Sequence, residues 1–291
     1  MQVHLSNLAL MAMDESASNE LPAPVSAAQV EVRGGIAGAS SWDQVAEEIP
    51  VAMVYNGVSH AVMMASPCDL EDFALGFSLS EGILQRPDQL FALEIQVSTD
   101  GISVGMRIAG DRFARLQEQR RNMVGRTGCG LCGTESLAHV ARSIAQVTPQ
   151  GVPSDKAVQA ALQALKNHQP LQLQTGATHG AAWCNNQGQI IVAREDVGRH
   201  NALDKLIGAR IREHADKAFA DGFALISSRA SFEMVQKSAS VGVASLVAVS
   251  APTALAIREA RSSGMNLIGF ARPGRHVIYH RSGECSEDNE L

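Results

Sequence analysis

Aromatic residues are scarce in this chain: eight Phe, two Trp and two Tyr in 291 residues, or 4%. A surface that grips single-stranded nucleic acid needs aromatic stacking platforms and a basic groove. With a formal net charge of −6 as well, the chain meets neither requirement globally, and nucleic acid is not an expected partner. Also missing is any run of about 18 apolar residues, the length that a membrane-spanning helix takes. The short apolar stretch from Leu8 to Met11 has no basic residue ahead of it and is followed by Asp14 and Glu15, which is not the layout of a secretory signal. The five cysteines are an odd number in a long chain. That argues against a disulfide scaffold and for a reducing, cytoplasmic setting.

What is present is ordinary for a globular protein: 45% hydrophobic and 19% charged residues, in a chain long enough to bury a core without cross-links. Residues 1–29 are rich in Ala, Ser, Pro and acids without a sustained period, and are expected to be a disordered tail. Val51 to Tyr55, Asn56-Gly57, then Val58 to Met64 predicts a hairpin on a type I′ turn. Asp69 is placed to cap a helix whose apolar face is Leu70, Phe73, Ala74 and Phe77, ending at Gly82. Ile95 and Val97 suggest a strand. Thr134 is a candidate cap for a helix carrying Leu137, Val140, Ala141 and Ile144, and Ser154 for one carrying Val158, Ala161, Leu162 and Leu165. Met53, Met63, Met64 and Met234 read as core or interface fillers.

The last third alternates. Strands are expected at Ile190 to Ala193, Phe223 to Ser227, Leu246 to Ser250 and Leu267 to Phe270. Helices are expected at Ala202 to His214, at Phe232 to Ser238, and from Pro252 to about Gly264. Strands alternating with helices imply an α/β fold built on a layered sheet.

The sharpest chemical signal is Arg126-Thr127-Gly128-Cys129-Gly130-Leu131-Cys132-Gly133. A lone C-x-x-C has several readings. As half of a zinc site it needs two more ligands, from Cys68, Cys184, Cys285 or a histidine such as His179 or His200, and none of these forms a second close pair. As a dithiol redox pair it should open a helix on a rigid scaffold, whereas here glycines flank it on both sides. As a sulfur carrier it needs an ionised thiol, which Arg126 and a helix start at Thr134 would favour. Four local glycines argue against two merely buried cysteines. The loop by itself does not choose between redox and sulfur transfer.

The wider chain resembles the FdhD family of sulfur carriers, accessory proteins of formate dehydrogenase. The resemblance rests on DFALGFSLSEGIL at 72–84, GRTGCGLCG at 125–133, REDVGRHNALDKLIG at 194–208, SSRASFEMVQK at 227–237, PTALAIREA at 252–260 and GFARPGR at 269–275, and it runs from about residue 45 to 281. It implies that a cysteine desulfurase loads Cys129 with a persulfide and that Cys132 relays the sulfur or assists. The acceptor is the molybdenum of a bis(molybdopterin guanine dinucleotide) cofactor, bound as substrate with no metal site of the protein's own. Phe270, Ala271, Arg272, Pro273, Gly274 and Arg275 match the segment that contacts this cofactor. The resemblance further implies a homodimer and a cytidine-deaminase-like core. The expected organisation is a tail at 1–29, an N-terminal α+β region at 30–145 ending in the cysteine loop, and a deaminase-like α/β domain with a layered mixed sheet at 146–291. Deaminase chemistry is not carried over: it needs His-x-Glu and Pro-Cys-x-x-Cys around zinc, but His179 is followed by Gly180 and Ala181, and Gly128 precedes Cys129.

A strongly anionic cofactor should be met by arginines, backbone N–H groups and helix starts. Arg272 and Arg275 bracket Pro273-Gly274 after a predicted strand, and Arg194 and Arg229 also fall at predicted strand ends, where open α/β sheets bind ligands. Asp196, Arg199, His200 and Asn201, with His179, form a polar cluster suited either to base recognition or to an architectural network. The alternative to a persulfide carrier is a non-catalytic chaperone that binds the cofactor while the cysteines are incidental.

Overall fold

The computed structural model describes residues 20–33, 39–124, 144–214 and 217–283. Cys129, Cys132, Cys285 and most of the helix expected after Thr134 lie outside the described residues. Strands β1 (Val25–Val32) and β2 (Ala39–Ala46) pair as an antiparallel ribbon. Residues 25–29, expected in the tail, are therefore strand. Their partners lie thirteen or more residues downstream, a pairing that composition does not reveal.

A four-stranded sheet follows, in the order β4-β3-β6-β5. It comprises β3 (Ile49–Tyr55), β4 (Val58–Ala65), β5 (Leu90–Ser98) and β6 (Gly101–Ile108). The β3–β4 hairpin turns on Asn56 at φ 46 and Gly57 at φ 81, the two positive values that Asn-Gly supplies most readily. Met53 is buried in this sheet, whereas Met64 is exposed on its edge strand.

Helix α1 (Leu70–Ser80) is buried along its length except at Glu71. Asp69 stands at its N-cap position, but in a left-handed conformation with no capping bond. Its carboxylate faces Arg194 instead, at 3.5 Å. A long-range cation has won over the local cap. Helix α2 (Gly110–Val124), which the sequence pattern did not announce, is tied to the end of α1 by Arg112, which donates to the carbonyls of Gly82 and Ile83.

The second sheet has six strands, in the order β12-β11-β10-β9-β7-β8. These are β7 (His179–Cys184), β8 (Ile190–Asp196), β9 (Phe223–Ile226), β10 (Ser245–Ala248), β11 (Asn266–Arg272) and β12 (Arg275–His280). Strands β9, β10 and β11 run parallel, while β7 and β12 are antiparallel to their neighbours, so the sheet is mixed. Helices α3 (Asp155–Leu165) and α4 (Pro170–Thr175) precede it, and α5 (Arg199–His214), α6 (Phe232–Ser240) and α7 (Ala254–Ser263) connect its strands. Ser154 caps α3 by accepting from Ala157 N at 3.2 Å. The cap of α7 is Thr253, with Pro252 lying just ahead of it rather than inside the helix.

Alternation along these strands buries both faces. Ala181, Trp183, Ala224 and Ile226 join the core shared with α1, α5, α6 and the first sheet. Ala182, Cys184, Phe223 and Leu225 join a second cluster under α3. Among the described residues no helix is long and apolar enough to cross a membrane.

Candidate anion-binding rim

The carboxyl ends of β9, β10 and β11 form one rim, and backbone bonds continue the sheet past each strand end. Val249 N donates to Ile226 O at 3.0 Å, Ser250 N to Ser228 O at 3.3 Å and Phe270 N to Ser250 O at 3.0 Å. The start of β7 joins this rim through Ser227 N, which donates to Gly180 O at 2.9 Å. Three strand spacings, about 14 Å, therefore separate His179 from Phe270. The N-termini of α5, α6 and α7 open along the same edge, so orphan N–H groups and positive dipole ends face it.

The segment 270–275 is a bulged hairpin. Gly269 pairs with Val277 and Arg272 with Arg275, so Phe270 and Ala271 together oppose His276. The two bulge residues point different ways. Phe270 adopts φ 49, a left-handed conformation costly for a large side chain, and is partly exposed. Ala271 is buried in the cluster under α3. Pro273 and Gly274, the latter at φ 77, are the residue pair of a type II turn. Arg272 and Arg275 flank that turn directly opposite each other, both exposed.

The other residues divide. Arg194 is not on the rim: its guanidinium donates twice to Asp72 Oδ2, at 2.8 and 2.7 Å, which ties β8 to α1. Arg229 is exposed just beyond β9, on the rim. Asp196 is fully buried and architectural. Its Oδ1 accepts from Gly198 N and from Asn201 Nδ2, and its Oδ2 from Ser66 N at 3.0 Å and Lys205 Nζ at 2.7 Å. Asn201 also donates to Met64 O at 2.7 Å, so this network joins the first sheet to α5.

Arg199, His200 and His179 stay at the rim. His200 Nε2 lies 2.8 Å from Glu233 Oε2, bridging the starts of α5 and α6. Burial holds His200 below the usual histidine range, although Glu233 pulls the other way. Burial, then the Arg199 guanidinium, does the same to His179. Both rings are therefore neutral near pH 7, and the standing positive charge is that of Arg199, Arg229, Arg272 and Arg275. Arg199 Nε is buried with no hydrogen-bond partner among the described residues. Glu233 was missed by sequence reasoning because only the tertiary fold brings it to His200.

The opposite pole, at the amino ends of β9 and β10, holds a cavity of about 700 Å³ lined by Leu79, Leu84, Thr148, Ile211, Phe219 and Val241 among others. Val147, next to the cavity-lining Thr148, donates its N–H to Ser263 O at 3.0 Å. Of the described cysteines, Cys184 is buried and its thiol is pushed up to about 12. Cys68 is also raised by burial, although Lys205 Nζ donates to its sulfur at 3.8 Å. Among the described residues no three His, Cys, Asp or Glu side chains are grouped to hold a metal ion.

Comparison with known proteins bears on this arrangement. The FdhD/NarQ family pattern matches residues 46–285. The sulfur carrier protein FdhD of Cupriavidus necator is 54% identical over 239 residues, which cover 82% of this chain and 82% of that protein. The protein of the same name from Bordetella petrii is 52% identical over 254 residues, or 87% of this chain and 91% of that one. A crystal structure described as a formate dehydrogenase accessory protein of Desulfotalea psychrophila superposes with a TM-score of 0.65 at 24% identity, covering 87% of this chain and 96% of that chain. That likeness concerns the fold alone. With one pattern spanning most of the sequence and relatives sharing about half of its residues, this chain belongs to the FdhD/NarQ family.

Proposed function

We propose that this chain is a sulfur carrier for formate dehydrogenase maturation, loaded by a cysteine desulfurase as a persulfide on Cys129. In the loading step the Cys129 thiolate attacks the outer sulfur of the donor persulfide. The new S–S bond leaves Cys129–S–SH, and the donor cysteine departs as thiolate. Membership of a family whose relatives are named sulfur carriers supports this reading. Burial raises the thiols of Cys68 and Cys184, which makes neither of them the favoured carrier.

The acceptor is a bis(molybdopterin guanine dinucleotide) cofactor, bound as substrate at the rim with its molybdenum receiving the sulfur. The observation that carries this assignment is the bulged hairpin, which presents an aromatic ring on Phe270 and two adjacent guanidinium groups on Arg272 and Arg275 at the carboxyl edge of the sheet. Release of the outer sulfur as sulfide takes two electrons, and the Cys132 thiol supplies them by closing a disulfide on Cys129. Formate dehydrogenase, the desulfurase and a second copy of this chain are the partners in this reading, and the setting is the cytoplasm.

The six-stranded part is read as a cytidine-deaminase-like core, supported by the strand order β8-β7-β9-β10-β11 with helices α5, α6 and α7 between successive strands from β8 onward. We divide the chain near residue 145, since the first two sheets fall before it and the six-stranded sheet after it.

Peptide mass spectrometry after incubation with a desulfurase and L-cysteine tests the carrier. One added sulfur is expected on the Cys129 peptide, absent in Cys129→Ala, with Cys68 and Cys184 unmodified. No added sulfur, in a protein whose rim still binds the cofactor, would favour the chaperone instead.

A further inference from the structure

Arg272 and Arg275 face each other directly across the β11–β12 ladder. Like charges directly opposite on adjacent strands repel, so their juxtaposition has to be held by something else. Two residues of α3, one helical turn apart, reach this hairpin. Gln159 Nε2 donates to the carbonyl of Arg272 at 3.1 Å, and Gln159 Oε1 accepts from Gly274 N at 2.7 Å. One planar amide thus clasps the chain on both sides of Pro273. Asp155 Oδ1 lies 3.0 Å from His276 Nε2, next to Arg275. Beneath the turn, Ala271 is buried in the same apolar cluster as Val158, Ala161 and Leu165 of that helix.

We propose that Gln159 is a positioning residue that holds Arg272 and Arg275 as a paired guanidinium site for a diphosphate group. The inference rests on the reading that the 270–275 hairpin binds the cofactor, and it names the part of the cofactor that is bound there. Two forks on one rigid turn match the several oxygens of a diphosphate, and the anion relieves the repulsion between them. Without the Gln159 clasp the turn keeps its residues but loses its fixed geometry. Binding then falls because the site must be ordered on each encounter.

Guanosine 5′-diphosphate is the probe, with affinity measured by calorimetry on the full chain. Gln159→Met, which keeps the shape and removes both hydrogen bonds, should weaken binding about tenfold, with a melting temperature close to that of the parent because Gln159 is only half-buried and water can replace both bonds. Arg272→Ala should lose binding in the parent and little more in the Gln159→Met background, because the two act as one unit. Unchanged affinity in Gln159→Met while Arg272→Ala and Arg275→Ala lose it, or fully additive losses, would overturn the clasp and leave the hairpin as the binding site. Unchanged affinity in both arginine variants would overturn the binding site itself.

Discussion

Gly76 of α1 and Gly208 of α5 meet where the two helices cross, each against the backbone of the other. A Cβ on Gly76 would fall 1.7 Å from Asp204 O, and one on Gly208 would fall 1.9 Å from Asp72 O. This contact brings two carboxylate-bearing turns and their cations together, and it joins the first sheet to the second.

Alanine at either position therefore has to push the helices apart. The obstacle is main chain and not a side chain that can rotate away. Gly76→Ala and Gly208→Ala should each cost about 3 kcal/mol, read as a lower denaturation midpoint. A loss under about 0.5 kcal/mol in either variant would mean that the crossing is looser than described.

Asp204 lies fully buried on α5, with Lys237 of α6 at 2.9 Å and Ser80 of α1 at 2.6 Å. Lys237 also reaches Glu81 at 2.6 Å. Burial works against its ammonium, but the two carboxylates outweigh it and hold Lys237 above the usual lysine range. A raised folded-state value means that this stabilisation is complete below the unfolded lysine pKa, ~10.4, and is lost as pH climbs through the higher folded value. Asp204→Asn should cost about 3–5 kcal/mol, because it leaves the buried ammonium with a reduced counter-charge. Stability curves at pH 7 and above pH 10 check both points. A variant as stable as the parent at pH 7 would exclude the pair as a brace.

Phe270 combines backbone strain with partial exposure. Nothing in the apolar core requires a ring there, so strain and function separate by substitution. Phe270→Gly should be more stable than Phe270→Ala by about 1 kcal/mol, since glycine adopts φ 49 freely. Both should bind guanosine 5′-diphosphate more weakly than the parent. Equal binding by parent and both variants would remove the ring from the site, while equal stability of the two variants would mean that the strain is absent.

How much of this was legible depends on the distance over which each signal acts. Asn56-Gly57 announced its hairpin because the turn's requirement for positive φ is met by two neighbouring residues. Ser154 announced α3 and Gly264 the end of α7 for the same reason: the partners of a cap lie within one turn. Asp69 carried the same local signal and did something else, because Arg194, far away in sequence, competes for its carboxylate. Arg194 itself looked like a rim cation and proved to be a brace on Asp72. Only residues 25–29 of the β1–β2 ribbon fall in the expected tail, because their hydrophobic pattern is weak and their stabilising partner is the other strand.

By itself, then, the sequence determined the α/β alternation of the last third, the hairpin and cap positions, and the Cys129-x-x-Cys132 and Phe270–Arg275 segments that carry the family resemblance. These are properties of neighbouring residues, encoded by periodicity, turn chemistry and motif. Only the tertiary structure decided which polar residues serve the rim and which serve the frame. It buried Asp196 and Asn201 in a joint between the two sheets, set His200 against Glu233 across two helix starts, and laid Gln159 against the Arg272–Gly274 turn. The physical reason is that a charge or amide takes its role from whatever the folded chain brings within about 3 Å of it, and the partners of His200, Gln159 and Asn201 across these joints lie 33 to 137 residues away along the chain.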